Sequence, residues 1–464
     1  MNVIPSPIHL LDRARSTFDM PTIGRAIYGG TPRGGTRPQD FDVNPQTAFF
    51  PPKPLPHLPA EFSIWEEALA NAPDAVRLSE NQSPAALAKR ADSERWRAGV
   101  RSWPLLKVDS LRADLRQLQR AHMVLAFILH YYAHSYPTSS EDELIIIPRS
   151  LAIPLAEVSK DLGFAPVLTF TDTVLWNWKF INPDEPLTVD NMEYTNLLSG
   201  IDTEANFYKA SAAVELKGAE MLQVIEAFGN LADPMDQNSQ AKILRDLVRL
   251  KTTVEELTET FRSIRSKVDP HSFYWLVRPW WVGAKTLSNG QPNWVFEGVP
   301  NYTSFDLDGP SAGQSAVMHA LDIFLDVDHK LVHHRTPAPS EANKKADRGF
   351  MERMRRYMTA AHRDYLTRIG SVPRTVRQVA EATPSLREPY NAVVSSLKQL
   401  RDVHMQIATL YIITQRRTAP PASAGIVVVE QAAEGSPIGT GGNEVASLLK
   451  AGRDATRRTL LPDL

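Results

Sequence analysis

The sequence predicts an all-α fold, and its 464 residues are long enough for a large core and two domains. Two observations carry the fold class. From Thr203 onward the apolar residues recur three or four apart over long stretches, the spacing of helices. No strand–turn–strand rhythm follows that point, and no internal repeat is present.

Residues 1–60 read as a loosely structured arm, extended and partly disordered. The runs YGGTPRGGTRPQD (Tyr28–Asp40) and PPKPLPHLP (Pro51–Pro59) mix glycine, proline and polar residues, which oppose helix and strand interiors. Helical signals begin at Glu61: SIWEEALANA follows Ser63, with Glu66 three residues on, the spacing of a capping box. Ser110–His134 is a long helix, amphipathic at first and apolar later; its His122, His130 and His134 share no clear ligand face and are read as structural. Pro148–Gly163 predicts a turn and a short helix, and Pro166–Asn182 a buried helix, followed by the polar turn NPDEPLTVDNME. Asn206–Ala232 and Ser239–Val268 are long helices separated by the turn DPMDQN.

FYWLVRPWWVGA (Phe273–Ala284) places Arg278 among large aromatics, with Pro279 to interrupt the local structure. Arg278 is either a cation snorkelling from an apolar segment or a guanidinium beside a dry aromatic pocket, able to hold a carboxylate in bidentate fashion. In DGPSAGQSAVMHALDIFLD (Asp308–Asp326), Ser311 and Gln314 have capping-box spacing, and Ser311, Ala312 and Gly313 are small enough for backbone to approach a flat ligand. His333–Gly349 reads as a polar loop. A helix over GFMERMRRYMTAAHRDYLTRI follows, then one over Pro389–Arg417, whose Val393, Leu397, Leu400, Ile407 and Tyr411 form one stripe. His404 lies on that stripe and is expected to be buried, either as a satisfied core histidine or as an axial ligand to a haem iron. A proline-rich break, the glycine-rich GSPIGTGGN (Gly435–Asn443) and a last helix, EVASLLKAGRDATRRTLL, complete the chain. Without a P-loop lysine or a strand–helix context, GTGGN is a linker or lid rather than a phosphate site.

Composition narrows the chemistry. A net charge of −2 makes no case for nucleic acid or an anionic membrane. No run approaches the roughly 18 apolar residues of a membrane span, and MNVIPSPIHLLDRARS lacks the basic start and apolar run of a secretory signal. With no cysteine, thiolate zinc, iron–sulfur and thiolate-haem sites are excluded, and any metal falls to histidine and carboxylate. There is no G-x-S-x-G, H-E-x-x-H, dinucleotide or kinase signature.

Taken in order, PVLTFTDTVLWNW, PLTVDNM, FYWLVRPWWVG, SAGQSAV, RRYMTAAHRDYL, RDVHMQIATLYI and GTGGN resemble the indoleamine 2,3-dioxygenase family, from about Pro148 to Leu461 and more weakly from Glu61. After the arm over 1–60, the resemblance implies a small helical domain over 61–198 contributing to the distal pocket, and a large helical haem-binding domain over 199–464. It implies haem b, with His404 as the proximal iron ligand. Phe273 and Arg278 then stand where the indole is stacked and the amino-acid carboxylate bound. Ser211 resembles the distal-pocket serine, with Phe207 and Phe170 as pocket walls. Ser311 and Ala312 match the segment passing over the haem, Asp322 and Arg401 a pair near it, and Thr440 the lid threonine that contacts substrate.

The implied reaction is cleavage of the indole C2–C3 bond of L-tryptophan by O2 to give N-formylkynurenine. It implies a cytoplasmic monomer of the kynurenine pathway, with an electron donor to keep the haem ferrous. Two other readings stay open: a tailoring enzyme for another indole in secondary metabolism, and a haem-binding sensor without turnover. Three positions depart from the mammalian pattern. Phe170 stands where tyrosine is usual, while Pro310 in place of glycine and Trp281 in place of leucine make a bulkier entrance, which implies a narrower substrate range or an altered affinity. The arm has no clear counterpart.

Overall fold

Apolar periodicity becomes helix over most of the computed structural model, which describes residues 35–138, 140, 143–347, 349–425, 439–442 and 444–462. In the first part of the chain the main helices are α1 (Ser63–Ala75), α2 (Arg90–Ser102), α3 (Leu115–Ser135) and α4 (Arg149–Leu162). Helix α3 is buried on every face from Ala121 to Ala133, as its change from amphipathic to uniformly apolar demands. Helices α1 and α4 cover it, and α2 packs on both of these. Asp114 caps α3 by accepting from the Arg116 amide at 2.8 Å.

The described end of the arm is anchored rather than loose. Phe41, Phe49 and Phe50 are buried. Phe49 meets the rings of His362 and Tyr365 edge-on at 4.9 and 5.7 Å, and Phe50 meets Trp178 at 6.1 Å. Asp42 receives Arg116 at 2.6 Å. Residues 1–34, with most of the glycine-rich run, lie outside the described residues.

Among the described residues there are four short strands: β1 (Ile145–Ile147), β2 (Trp178–Phe180), β3 (Met192–Tyr194) and β4 (Trp294–Phe296). β1 pairs parallel with β4, and β2 antiparallel with β3. The expected buried helix over Pro166–Asn182 is therefore corrected to a single π-helical turn, Thr171–Trp176, that runs into β2. Local hydrogen bonds explain the change. Asp172 accepts from the amide and hydroxyl of Thr169 and from His122 Nδ1 (2.7 Å), while Asn177 takes the amide of Asn196, which ends the turn. Both His122 and Asp172 are fully buried. Replacing Asp172 with alanine leaves three buried donors unpaired, and urea unfolding should show a loss of at least about 3 kcal/mol.

The remaining main helices are α5 (Asp202–Gly229), α6 (Gln237–Lys267), α7 (Ala316–Phe324), α8 (Ala360–Gly370), α9 (Pro384–Ala408) and α10 (Val445–Arg458). Helix α9 is central: its stripe Tyr390, Val393, Leu397, Leu400 and Ile407 is buried, chiefly against α6, with α10 along another side. Each such side chain contributes about 1.5–3 kcal/mol. Asp236, in the predicted turn, caps α6 by accepting from the amides of Asn238 and Ser239. The expected loop over His333–Gly349 contains a short helix, Glu341–Asp347. No helix among the described residues is long and apolar enough to cross a membrane.

Candidate active site

One cavity of about 310 Å³ gathers the candidates from the sequence: Phe170, Phe207, Ser211, Phe273, Arg278, Ser311, Ala312, Asp322, Arg401, His404 and Thr440 all line it. Three π-helical turns shape its wall. They are Thr171–Trp176, Phe273–Val277 and Thr409–Thr414, the last continuing α9. A π turn holds one residue more than an α turn, so it re-aims the side chains around it, and such turns are frequent at functional sites. Thr173, Phe273 and Tyr411 enter the lining from these turns.

On α9, His404 opens on this space instead of pointing into packed core. Its ring lies 5.5 Å from that of Phe261, and neither ring nitrogen has a hydrogen-bond partner among the described residues. Burial, and then the charge of Arg401, brings its pKa down to about 4. A neutral imidazole with uncommitted nitrogens is the donor that a haem iron takes. One turn earlier, an Arg401 guanidinium nitrogen stands 2.6 Å from both carboxylate oxygens of Asp322 on α7. The same guanidinium reaches Thr456 and the Gly452 carbonyl on α10. His329 Nε2 lies 2.8 Å from Asp322. Burial raises the Asp322 pKa, but Arg401 and then His329 hold the carboxyl well below the usual carboxylate range.

Another part of the lining is aromatic. Phe207 and Phe273 stack at 4.8 Å and 26°, and Trp281 meets both edge-on at 5.1 and 5.5 Å. Trp281 is itself fixed: it stacks on Tyr208 at 5.5 Å and 13°, and its Nε1 lies 3.3 Å from Glu204. The Ser211 hydroxyl donates to the Phe207 carbonyl at 3.0 Å, which leaves its oxygen as an acceptor. Arg278 begins the short helix Arg278–Trp281, with its guanidinium 5.5 Å from the centre of the Tyr274 ring. Burial lowers the Arg278 pKa. Two of the histidines read as structural hold the end of this helix. His130 Nδ1 and His134 Nε2 each lie 2.8 Å from a backbone carbonyl, of Trp280 and Val282.

The capping box expected from Ser311 and Gln314 does not form. Ser311 accepts from the Gly313 amide at 3.3 Å, and it is Ser315 that caps α7, through Met318. Gln314 is instead a buried stitch. Its side-chain oxygen accepts from the Phe170 amide at 2.8 Å, and its nitrogen donates to the Gly309 carbonyl at 2.9 Å. Thr440 donates through its hydroxyl to the Pro310 carbonyl at 2.5 Å. Asn443 lies outside the described residues.

Glu215 is a lining residue that the sequence reading missed. It sits one turn after Ser211 on α5, receives the Ser315 hydroxyl on one oxygen, and has no partner for the other among the described residues. Burial pushes its pKa up from 4.5 to about 7. A carboxyl whose folded pKa is raised favours folding below its unfolded value, and that advantage is lost as pH rises through the folded value. Relative to Glu215→Gln, the protein should therefore lose on the order of 3 kcal/mol between pH 4.5 and pH 7, read from urea unfolding at stepped pH.

Known proteins resemble the chain along most of its length. The family described as "Indoleamine 2,3-dioxygenase" matches residues 37–459. Indoleamine 2,3-dioxygenase 1 of Mus musculus is 29% identical, over 91% of this chain and 95% of its own length. A 6-hydroxytryptophan 2,3-dioxygenase of Fusarium equiseti is 27% identical over 92% and 98%. A protein named myoglobin, from Haliotis diversicolor, is 30% identical over 86% and 93%. With the match running over nearly the whole length, the chain belongs to the indoleamine 2,3-dioxygenase family of haem-dependent dioxygenases.

Proposed function

We propose that the protein cleaves the indole C2–C3 bond of L-tryptophan, adding both atoms of O2 to give N-formylkynurenine. The observation that carries this reading is that the half-buried Arg278 and the stacked Phe207–Phe273 pair line the same cavity as His404. An aromatic wall next to a desolvated guanidinium is complementary to an aromatic amino acid with a free carboxylate. His404 would hold the iron of haem b, and the haem would supply O2 binding and activation.

The side chains then have separate tasks. Phe273 lies against the indole ring. Arg278 pairs with the carboxylate and fixes which carbons face the oxygen. Ser211 offers an acceptor to an N–H of the substrate, and the Phe207, Phe273 and Trp281 rings exclude water. Asp322 and Arg401 brace the helix that carries His404. In this reading the N-terminal helices over 61–198 form the smaller domain, and Phe170, Thr173 and Val174 are its contribution to the pocket. The protein would act in the cytoplasm as a monomer, with an electron donor keeping the iron ferrous. The test is direct: load the protein with haem, reduce it, add L-tryptophan in air and follow the near-ultraviolet absorbance of N-formylkynurenine. Haem binding without product refutes the reading.

Two relatives define the alternatives. The 6-hydroxytryptophan enzyme raises a ring-substituted substrate, and the protein named myoglobin raises haem binding without turnover. A carboxylate clamp has no task in the latter. For the former, the rigid Trp281 wall limits the space around the ring. Trp281→Leu should lower KM for bulky ring-substituted tryptophans relative to L-tryptophan by roughly tenfold, the usual scale for a few carbons in an apolar pocket. An unchanged ratio of kcat/KM values would remove Trp281 from the list of specificity residues.

A further inference from the structure

Behind the lining residues Pro310, Ser311, Thr440 and Gly441 lies an ionic network that the reaction as described does not use. Arg353, on the short helix Phe350–Met354, pairs with Asp308 and lies 3.2 Å from Asp306. Its other terminal nitrogen donates to the carbonyl of Gly441. The Tyr357 hydroxyl completes the network, donating to Asp306 at 2.6 Å and accepting from the Asp308 amide at 3.1 Å. These groups join three stretches of chain: 306–311, 350–357 and 439–442. Backbone bonds close the junction, because the Gly309 amide donates to the Thr440 carbonyl at 3.1 Å and the Thr440 hydroxyl to the Pro310 carbonyl. Space is tight as well. Gly442 has a φ of +75°, and a Cβ there would meet the Asp308 carboxylate at 2.5 Å.

We propose that Arg353 is a positioning residue: held between Asp306 and Asp308, it grips the Gly441 carbonyl and so keeps Thr440 and Ser311 over the bound amino acid. This rests on the reading of the cavity as the amino-acid pocket. The physical case is one of ordering cost. Gly439–Gly442 contains three glycines, whose backbone entropy opposes any single ordered path along the cavity. A charge-assisted bond to a backbone carbonyl, from a guanidinium oriented by two carboxylates, meets that cost before substrate arrives. Substrate binding energy is then free to act on the substrate. The three polar side chains are only 18–26% exposed, so salt and water compete with them weakly.

The test uses the haem-loaded full-length protein with Arg353→Met, Asp308→Asn and the double variant. Each single variant should raise KM for L-tryptophan roughly five- to twentyfold with kcat within about twofold, and the double should be little worse than either single. Haem content should stay at the wild-type level. Without substrate, amide exchange in peptides spanning Gly309 and Gly439–Gly442 should accelerate by about tenfold or more. Unchanged exchange overturns the proposal, as does a fall in kcat and haem content with KM unmoved, which marks a merely structural bond. If the wild type turns over no L-tryptophan, the proposed function fails by itself. Exchange then decides the clamp alone: acceleration upholds it and no change refutes it.

Discussion

His404→Ala is expected to leave a folded protein that purifies with little haem. Changing a mere outer partner of a metal ligand already costs about 10–100-fold in metal affinity, and removal of the ligand itself should cost more. The Soret absorbance per protein should therefore fall at least about tenfold, and N-formylkynurenine formation with it. Stability should suffer less, because His404 makes no hydrogen bond among the described residues and opens on the cavity. Free imidazole added to the variant occupies the space vacated by the side chain and should restore part of the haem binding. A variant that keeps full haem occupancy places the ligand elsewhere. One that unfolds, and regains nothing with imidazole, assigns His404 to the core.

Arg278→Ala should act on substrate and spare haem. Two hydrogen bonds to a carboxylate at about 1.5 kcal/mol each amount to about 3 kcal/mol, a rise in KM of at least roughly 100-fold. Arg278→Lys should recover only part of this, since an ammonium lacks the planar fork that grips both oxygens. Tryptamine supplies the control, as it has the indole and amine but no carboxylate. Wild type and Arg278→Ala should handle tryptamine almost equally. A similar loss for both substrates would mean that Arg278 supports the aromatic wall and does not bind the carboxylate.

Much of this site was legible in the sequence, for unequal reasons. The α9 stripe included His404 and led to the expectation that it is buried, because a 3.6-residue period is written directly in the order of apolar residues; the ring is half-buried and opens on the cavity instead. Its partner was not written there, and only the resemblance supplied haem. Gathering Phe273, Arg278, Ser211 and Thr440 around one cavity also depended on the resemblance, since they come from separate elements. Three things escaped. Ser311 and Gln314 have capping-box spacing, yet Gln314 turned to Phe170 and Gly309, contacts far away in the chain or set by its path. Glu215 looked like an ordinary helix glutamate, because nothing local reveals a buried cavity wall. The Pro166–Asn182 stretch has apolar content that suits a helix or a strand, and the bonds of Asp172 and Asn177 divided it between a π turn and β2.

The π turns also bear on how this pocket tolerates change in length. Each contains one residue beyond what an α-helix of the same rise requires. Deleting one residue from Thr409–Thr414 would let α9 continue as regular α-helix, with its hydrogen bonds intact. The change would be local: residues beyond the turn would keep their places, and those within it would be re-aimed by up to about 100°, the angle per residue. Tyr411 and Ile412 lie within it and would turn away from the cavity while His404, upstream, stayed in place. The helix would survive and the pocket would not. Around this cavity, then, single-residue deletions are a sharper hazard than most substitutions, and a lineage of such chains would be expected to hold the length of these three turns more strictly than their composition.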